Sequence, residues 1–493
     1  MKNKETTLSQ MLEKLNTEGR YPMHMPGHKR SFPDKSEGIK IPYNIDVTEI
    51  EGFDNLHSMS GVLKRLSERA ANLYGAEKAY VTVGGSTCGI LSSIRAMTCP
   101  GDCVIVARNC HKSVYHALSI CRLRAEYVYP ESDPETGIFG SVKAEDIKSA
   151  LEKCPNARLV IITSPTYEGV VSNLKSISDT VHACGSYLLV DAAHGAHILP
   201  DMVYADSPYK LGENTFLAIN EIKYADVAIL SLHKTLPSLT QTALVLVYAK
   251  KRCIEERIYN QLNVFESSSP SYILLYSVEK CIELLECRRE ALFSDWARRA
   301  YDFENFATEL KNIKIFGYTY LPCEPLCFDF DKSKISVLCN RFVFKDTQIK
   351  VRGKDIADIL RRHNIEPEMI APGYVLLMTS ICDTDRGYEM LKCALHKIDG
   401  MLDYCEDNES CIVSYPKNQA VKEIYECDFL CDMRLSPEMA EGRVSTSYIT
   451  PYPPGIPLAV PGELINREVT EALKQFKDSG VDIENGDEIS VLL

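Results

Sequence analysis

The sequence lacks the features that would send a chain to nucleic acid, to a membrane or to an oxidising compartment. Lysine and arginine number 55 against 68 aspartates and glutamates, a formal net charge of −13. A nucleic-acid binder needs a basic face, so none is expected here; the balance agrees with a cationic small molecule, although most of it serves solubility. No apolar run reaches the about 20 residues of a membrane span. The opening "MKNKETTLSQMLEKLNTEGR" has no apolar core of the kind a secretory signal carries. Among 19 cysteines no two stand as C-x-x-C; the closest pairs, such as Cys99 with Cys103 and Cys427 with Cys431, are spaced C-x-x-x-C, which suits zinc poorly. Reduced thiols in a cytoplasm, most of them buried as small hydrophobes, are the expectation. There is no internal repeat and no low-complexity segment. What is there is 493 residues, 45% hydrophobic and 25% charged, enough for a large core in two or three domains.

Residues 1–60 read as an irregular N-terminal segment, with proline and glycine in "YPMHMPGHKRSFPDK". From Val62 the pattern becomes regular: Val62, Leu63, Leu66, Ala70 and Leu73 share a helical face, and Gly75 is a stop. Seven short apolar runs follow: "AYVTV" (79–83), "CVIVA" (103–107), "AEYVY" (125–129), "LVIIT" (159–163), "YLLV" (187–190), "DVAILSL" (226–232) and "ALVLVY" (243–248). Such runs, mostly separated by helix-length segments, predict a mainly parallel α/β sheet covered on both faces. The last gap is too short for a crossover helix, so that pair is expected to be antiparallel. Residues 269–311 read as long helices leaving this 61–310 domain. Residues 311–493 read as a smaller α+β domain, with helices at 353–365 and 387–402 and a strand at 374–380. "PYPPGIPLAVPGE" (451–463) is too proline-rich for helix or central strand.

In open α/β sheets, ligands sit outside the carboxyl ends of the strands. The first run ends in "GGSTCG" (84–89), ahead of a helical pattern. Gly84 and Gly85 allow a tight turn, and the amides and hydroxyls of Ser86 and Thr87 at a helix N-terminus suit a phosphate. Such turns are also common without a ligand. A G-x-S-x-G hydrolase elbow fails here at Cys88. His111 follows the second run and is either an ordinary loop residue or a ring that stacks on an aromatic cofactor. Ser164, Thr166 and Tyr167 end the fourth run.

Asp191 in "VDAAHGAH" (190–197) and Lys234 in "SLHKTLPSLTQTA" (231–243) end two further runs. A structural ion pair is one reading. The other is that a desolvated lysine amine condenses with an aldehyde while a carboxylate keeps a pyridine nitrogen protonated, which are the groups a pyridoxal 5′-phosphate enzyme needs. The order of phosphate turn, histidine, acid and lysine favours the second. His194 with His197, or His24 with His28, lack a carboxylate to complete a metal site, so no metal is expected.

At these residues the chain resembles the bacterial-type ornithine/lysine/arginine decarboxylases, which have the type I fold of the aspartate aminotransferases. The resemblance is carried by "MPGHK" (25–29), "DVTEIEGFDNLH" (46–57), "GGSTCG", "ARNCHKSVYHAL" (107–118), "TSPTYEGV" (163–170), "VDAAHGAH", "SLHKTLPSLTQTA", "SSSPSYILL" (267–275) and "PYPPGIPLAVPGE". It implies that Lys234 is the lysine that binds the cofactor aldehyde, Asp191 the partner of the pyridine nitrogen and His111 the stacking ring. Ser86, Thr87, Ser231 and His233 would lie at the phosphate or beside the point of attachment, with Ala193 under the ring and His194 close by. Ser268, in place of the family's usual threonine, would reach the phosphate from the neighbouring subunit of a homodimer with shared active sites. Ala192 stands where many members carry glutamate, on the strand face away from Asp191. The resemblance is to the short form, without the extra N-terminal domain of the acid-inducible enzymes.

The implied reaction removes CO2 from arginine, lysine or ornithine and reprotonates Cα, with His233 or Lys234 as donor. An acid should line the far end of the pocket for the substrate's distal charge, and Glu463 is the candidate. Other pyridoxal phosphate reactions such as transamination, and a non-catalytic relative that binds the cofactor, are the alternatives. The absence of an obvious arginine motif for a substrate carboxylate favours decarboxylation.

Overall fold

A computed structural model describes residues 7–17, 42–200, 222–249, 252–320, 322, 326–405 and 413–493. "MPGHK", with His24 and His28, lies outside these described residues.

Seven strands form the main sheet: β1 (Lys78–Thr82), β2 (Cys103–Ala107), β3 (Arg124–Val128), β4 (Leu159–Thr163), β5 (Tyr187–Asp191), β6 (Val227–Ser231) and β7 (Ala243–Val247). Their order across the sheet is β1-β7-β6-β5-β4-β2-β3. All run parallel except β7, which pairs antiparallel with both β6 and β1. The α/β architecture with a mainly parallel sheet is the one expected, and so is the reversal at β7. Strands β2, β6 and β7 are buried along their whole length, which is why they read as unbroken apolar runs. Helices cover both faces, among them α2 (Val62–Tyr74) before β1, α3 (Gly85–Met97) after β1 and α4 (Lys112–Cys121) after β2.

The N-terminal segment differs from the irregular coil expected. Residues Leu8–Thr17 form a helix, α1, with Leu8 and Leu12 buried in the main core. Its free N-terminal amides are capped at long range: Leu8 N–H and Ser9 N–H donate to the Glu279 carboxylate at 2.9 and 2.6 Å. The helices expected over 269–311 are one helix, Tyr272–Glu309. Its first half packs Leu275, Val278 and Ile282 into the main core, and its second half packs Phe303 and Ala307 into the next one. That next core belongs to the smaller α+β part. There an antiparallel sheet of Ile315–Phe316, Lys334–Leu338, Met369–Ile370 and Tyr374–Met378 is covered by helices Gly353–Arg362 and Asp385–Met401. A further apolar cluster gathers residues between Val413 and Val491. The proline-rich segment 451–463 contributes only the end of a short strand, Thr450–Tyr452.

Candidate active site

The carboxyl ends of β1, β2, β4, β5 and β6 open onto one cavity of about 290 Å³. Its wall carries Gly84, Ser86 and Thr87 from the first turn, His111 from the second, Asp191, Ala193 and His194 from the end of β5, and His233 and Lys234 from the end of β6. Segments 100 residues apart in the chain meet here because parallel strands place all their carboxyl ends on one side.

Each side chain is set locally. Gly84 precedes α3 and offers no side-chain cap; Gly85 N–H donates to Gln241 O at 2.9 Å, and Ser86 and Thr87 of the same turn line the cavity. Gly85 has φ +76°, a left-handed backbone that suits glycine. The Glu266 carboxylate accepts the N–H groups of Val83 and Gly84 at 2.9 and 3.0 Å and the Thr82 hydroxyl, which fixes the turn from behind. His111 caps α4: its Nδ1 accepts Ser113 N–H at 3.2 Å and lies 2.9 Å from Ser113 Oγ. Burial, with Lys234 and Lys112 adding, pushes the imidazole down to about 3. Gly455 closes over its edge. A Cβ there would lie 2.8 Å from His111 Cδ2, the φ is +83°, and Gly455 O accepts Lys112 N–H at 2.9 Å.

Asp191 is the last residue of β5, paired with Thr163 on β4 and Ile229 on β6. It is buried and accepts Ala193 N–H at 3.1 Å. Burial pushes its carboxyl up, and the neighbouring Lys234 opposes that. Lys234 sits on the single turn Leu232–Thr235 after β6. Burial pulls its amine down, against Asp191, so it is held closer to the neutral, nucleophilic form than a surface lysine. Its Nζ lies 2.9 Å from His194 Nε2. His194 is buried, its pKa driven well down by burial and by Lys234, and its ring packs on Tyr167 with centroids 4.3 Å apart. As a neutral ring that accepts at Nε2, it carries its proton on Nδ1, which is buried without a partner among the described residues. His233 Nδ1 is 3.0 Å from Thr242 O, and burial lowers this ring too.

Two of the expected residues lie off the cavity wall. Ser231 is fully buried at the end of β6, and its Oγ has no hydrogen-bond partner among the described residues. Ser268 is exposed in the loop before Tyr272–Glu309 and does not line the cavity of its own chain. Ala192 is buried and off the wall. His197, three residues beyond His194, lies 3.2 Å from Asp331 in a fully buried network with Lys334.

Glu463 is a correction. It is not at the far end of the cavity: its carboxylate takes Arg108 side-on, Nε to Oε1 at 3.2 Å and Nη2 to Oε2 at 2.9 Å, and also accepts Asn418 Nδ2 and Val460 N–H. Four donors satisfy it, so nothing remains for a substrate. The wall also holds Asn109, Phe139, Glu168, Gln241, Tyr452 and Ile456, none of which the sequence assigned a role. All but Phe139 lie in stretches that carry the family resemblance, which was the signal available for them.

The groups present fit pyridoxal phosphate. A desolvated amine, a buried carboxylate, an imidazole face and a helix turn with no side-chain cap share one cavity, and the orphaned Ser231 hydroxyl ends the strand that leads into the Lys234 turn. The family model for the major domain of Orn/Lys/Arg decarboxylases matches residues 6–336, and the model for their C-terminal domain matches residues 432–481. The chain is 31% identical over 471 residues to the uncharacterised protein YaaO of Bacillus subtilis (strain 168), covering 92% of this chain and 90% of that one. It is 28% identical over 499 residues to the arginine decarboxylase of the same organism, covering 100% and 97%. The crystal structure of the lysine decarboxylase LdcF of Francisella novicida shares the fold, with a TM-score of 0.78 at 18% identity over 99% of this chain and 81% of that one. With two thirds of its length matched by the major-domain model, this chain belongs to the Orn/Lys/Arg decarboxylase family.

Proposed function

We propose that the protein decarboxylates a basic amino acid with pyridoxal 5′-phosphate, and that arginine is the first substrate to test. The observation that carries the reading is the convergence of Lys234, Asp191 and His111 on one cavity within the part of the chain that the family model covers. The arginine decarboxylase of Bacillus subtilis, matched over nearly its full length, supports the choice among substrates.

When bound, the cofactor supplies an electron sink for the pair left at Cα as CO2 departs. The chain does the rest. Lys234 Nζ would hold the cofactor's aldehyde end, and Asp191 would be the partner of its ring nitrogen. His111 supplies a flat, uncharged face. Ser86, Thr87 and His233 would hold the phosphate side with Ser231 behind them, joined by Ser268 of a second copy in a cytoplasmic homodimer. Ala193 would pack against the ring. His194 Nε2, 2.9 Å from Lys234 Nζ, accepts a hydrogen bond that keeps that amine oriented. Lys234 Nζ is the proton donor to Cα in this reading, because it lies deeper than His233 and is held in place by His194.

The test is a product assay. Purified protein with added cofactor is given L-arginine, L-lysine and L-ornithine separately, and agmatine, cadaverine and putrescine are measured by mass spectrometry. One dominant amine, agmatine by expectation, supports the reading; no amine from any of the three, with cofactor bound, overturns it.

A further inference from the structure

Among the described residues two carboxylates line the cavity, Asp191 and Glu168. Asp191 accepts Ala193 N–H and lies in the field of Lys234. Glu168 has no ion-pair partner among the described residues. It is 4% exposed, and its hydrogen bond from a side chain of the smaller α+β part is Tyr374 O–H to Oε1 at 2.7 Å. Burying a carboxylate with neutral donors alone is costly, and burial indeed pushes its pKa up.

Its position is informative. Glu168 directly follows Tyr167, whose ring centroid is 5.9 Å from Lys234 Nζ. It also lines a small recess that continues from the cavity and shares Phe139, Pro454 and Ile456 with it. Those three give apolar wall to both the cavity and the recess. Tyr415 lines the same recess, and its hydroxyl is buried without a hydrogen-bond partner among the described residues. An apolar passage that ends at a buried carboxylate and an unused phenolic oxygen fits a methylene chain that ends in a group with several N–H donors. The other nearby acid, Glu368, is exposed and already takes the Tyr167 hydroxyl at 2.5 Å.

We infer that Glu168 binds the distal cation of the substrate, with Phe139, Pro454 and Ile456 along its methylenes and Tyr415 as a second acceptor. This rests on the decarboxylase reading above and names the specificity residue within it. Glu168 and Asp191 thus divide the cavity, one holding the substrate's far charge and the other serving the reacting end.

The experiment compares wild type with Glu168→Gln as holoenzymes. Turnover is measured on the basic amino acid that wild type uses and on its uncharged analogue: citrulline for arginine, 2-aminoheptanoate for lysine, norleucine for ornithine. Binding of the matching amine product is measured by calorimetry. Glu168→Gln keeps shape and the Tyr374 contact and removes only the charge. The expected result is a basic-to-neutral preference in kcat/KM lowered by about 100-fold, mostly through KM, with product affinity falling in parallel. Glu168→Asp should retain the preference. An unchanged preference in Glu168→Gln, with wild type active, overturns this inference alone; no amine from wild type overturns the parent reading and this one with it. Should Glu168→Gln not fold, a crystal structure of the wild-type holoenzyme with its amine product decides. The distal nitrogens are expected against Glu168, and any other seat overturns the assignment.

Discussion

Two sets of opposed buried charges in this fold behave in opposite ways. Arg108 and Glu463 close on each other: the guanidinium meets the carboxylate through two nitrogens and gives a third bond to Pro457 O at 2.8 Å, and Glu463 takes two further donors. Lys234 and Asp191 remain open. The amine meets a neutral imidazole, the carboxylate takes one backbone N–H, and both face a cavity. A pair whose hydrogen-bonding capacity is filled stabilises its surroundings and can do no chemistry. A pair left part-filled has its pKa values under strain and can exchange a proton or bind a ligand.

Breaking each pair should therefore produce different losses. Lys234→Ala should lower decarboxylation by several orders of magnitude, read as amine product, and leave the denaturant midpoint near that of wild type. Substantial residual turnover would end the assignment of Lys234. Glu463→Ala should do the reverse. It strands a buried guanidinium and should lower stability by about 3–5 kcal/mol in denaturant unfolding, with whatever folds still binding cofactor. A stable Glu463→Ala variant with altered substrate preference would return Glu463 to the substrate pocket.

Smaller effects sharpen the contrast. His111 is held neutral, its pKa taken from 6.5 to about 3 by burial, so below pH 6.5 the unfolded chain binds a proton there that the folded chain refuses. The resulting stability is fully present above pH 6.5 and is lost progressively as pH falls toward about 3. His111→Phe should flatten that acid-side slope in a melting series; an unchanged slope would mean that the ring is not held neutral. Ser231→Ala should be the mildest. Removing an unpaired buried hydroxyl should leave the melting temperature unchanged, while cofactor affinity measured by equilibrium dialysis should fall by about tenfold. Unchanged affinity would remove Ser231 from the binding set.

The sequence made the open pair legible and hid the closed one. Lys234 and Asp191 follow unbroken apolar runs, and a parallel sheet dictates that such residues gather on one side. Glu463 had no such rule to place it: its partner is 355 residues away, and the approach depends on how the proline-rich segment folds back. The same blindness applied to α1. Leu8 and Leu12 carry a helical stripe, but the caps that complete the helix come from Glu279, 270 residues later. Glu168 was readable as a residue and not as a site, since its burial depends on Tyr374 in a different sheet.

The close approach of Gly455 to His111 makes position 455 a steric gauge of the imidazole. A Cβ there would lie 2.8 Å from His111 Cδ2 on a backbone of φ +83°. The turn that carries it is tied at both ends, by Gly455 N–H to Pro451 O at 2.9 Å and by Lys112 N–H to Gly455 O at 2.9 Å. Any side chain at 455 must therefore displace either the ring or the tether, so the tilt of the histidine is set from a segment more than 300 residues away in the chain.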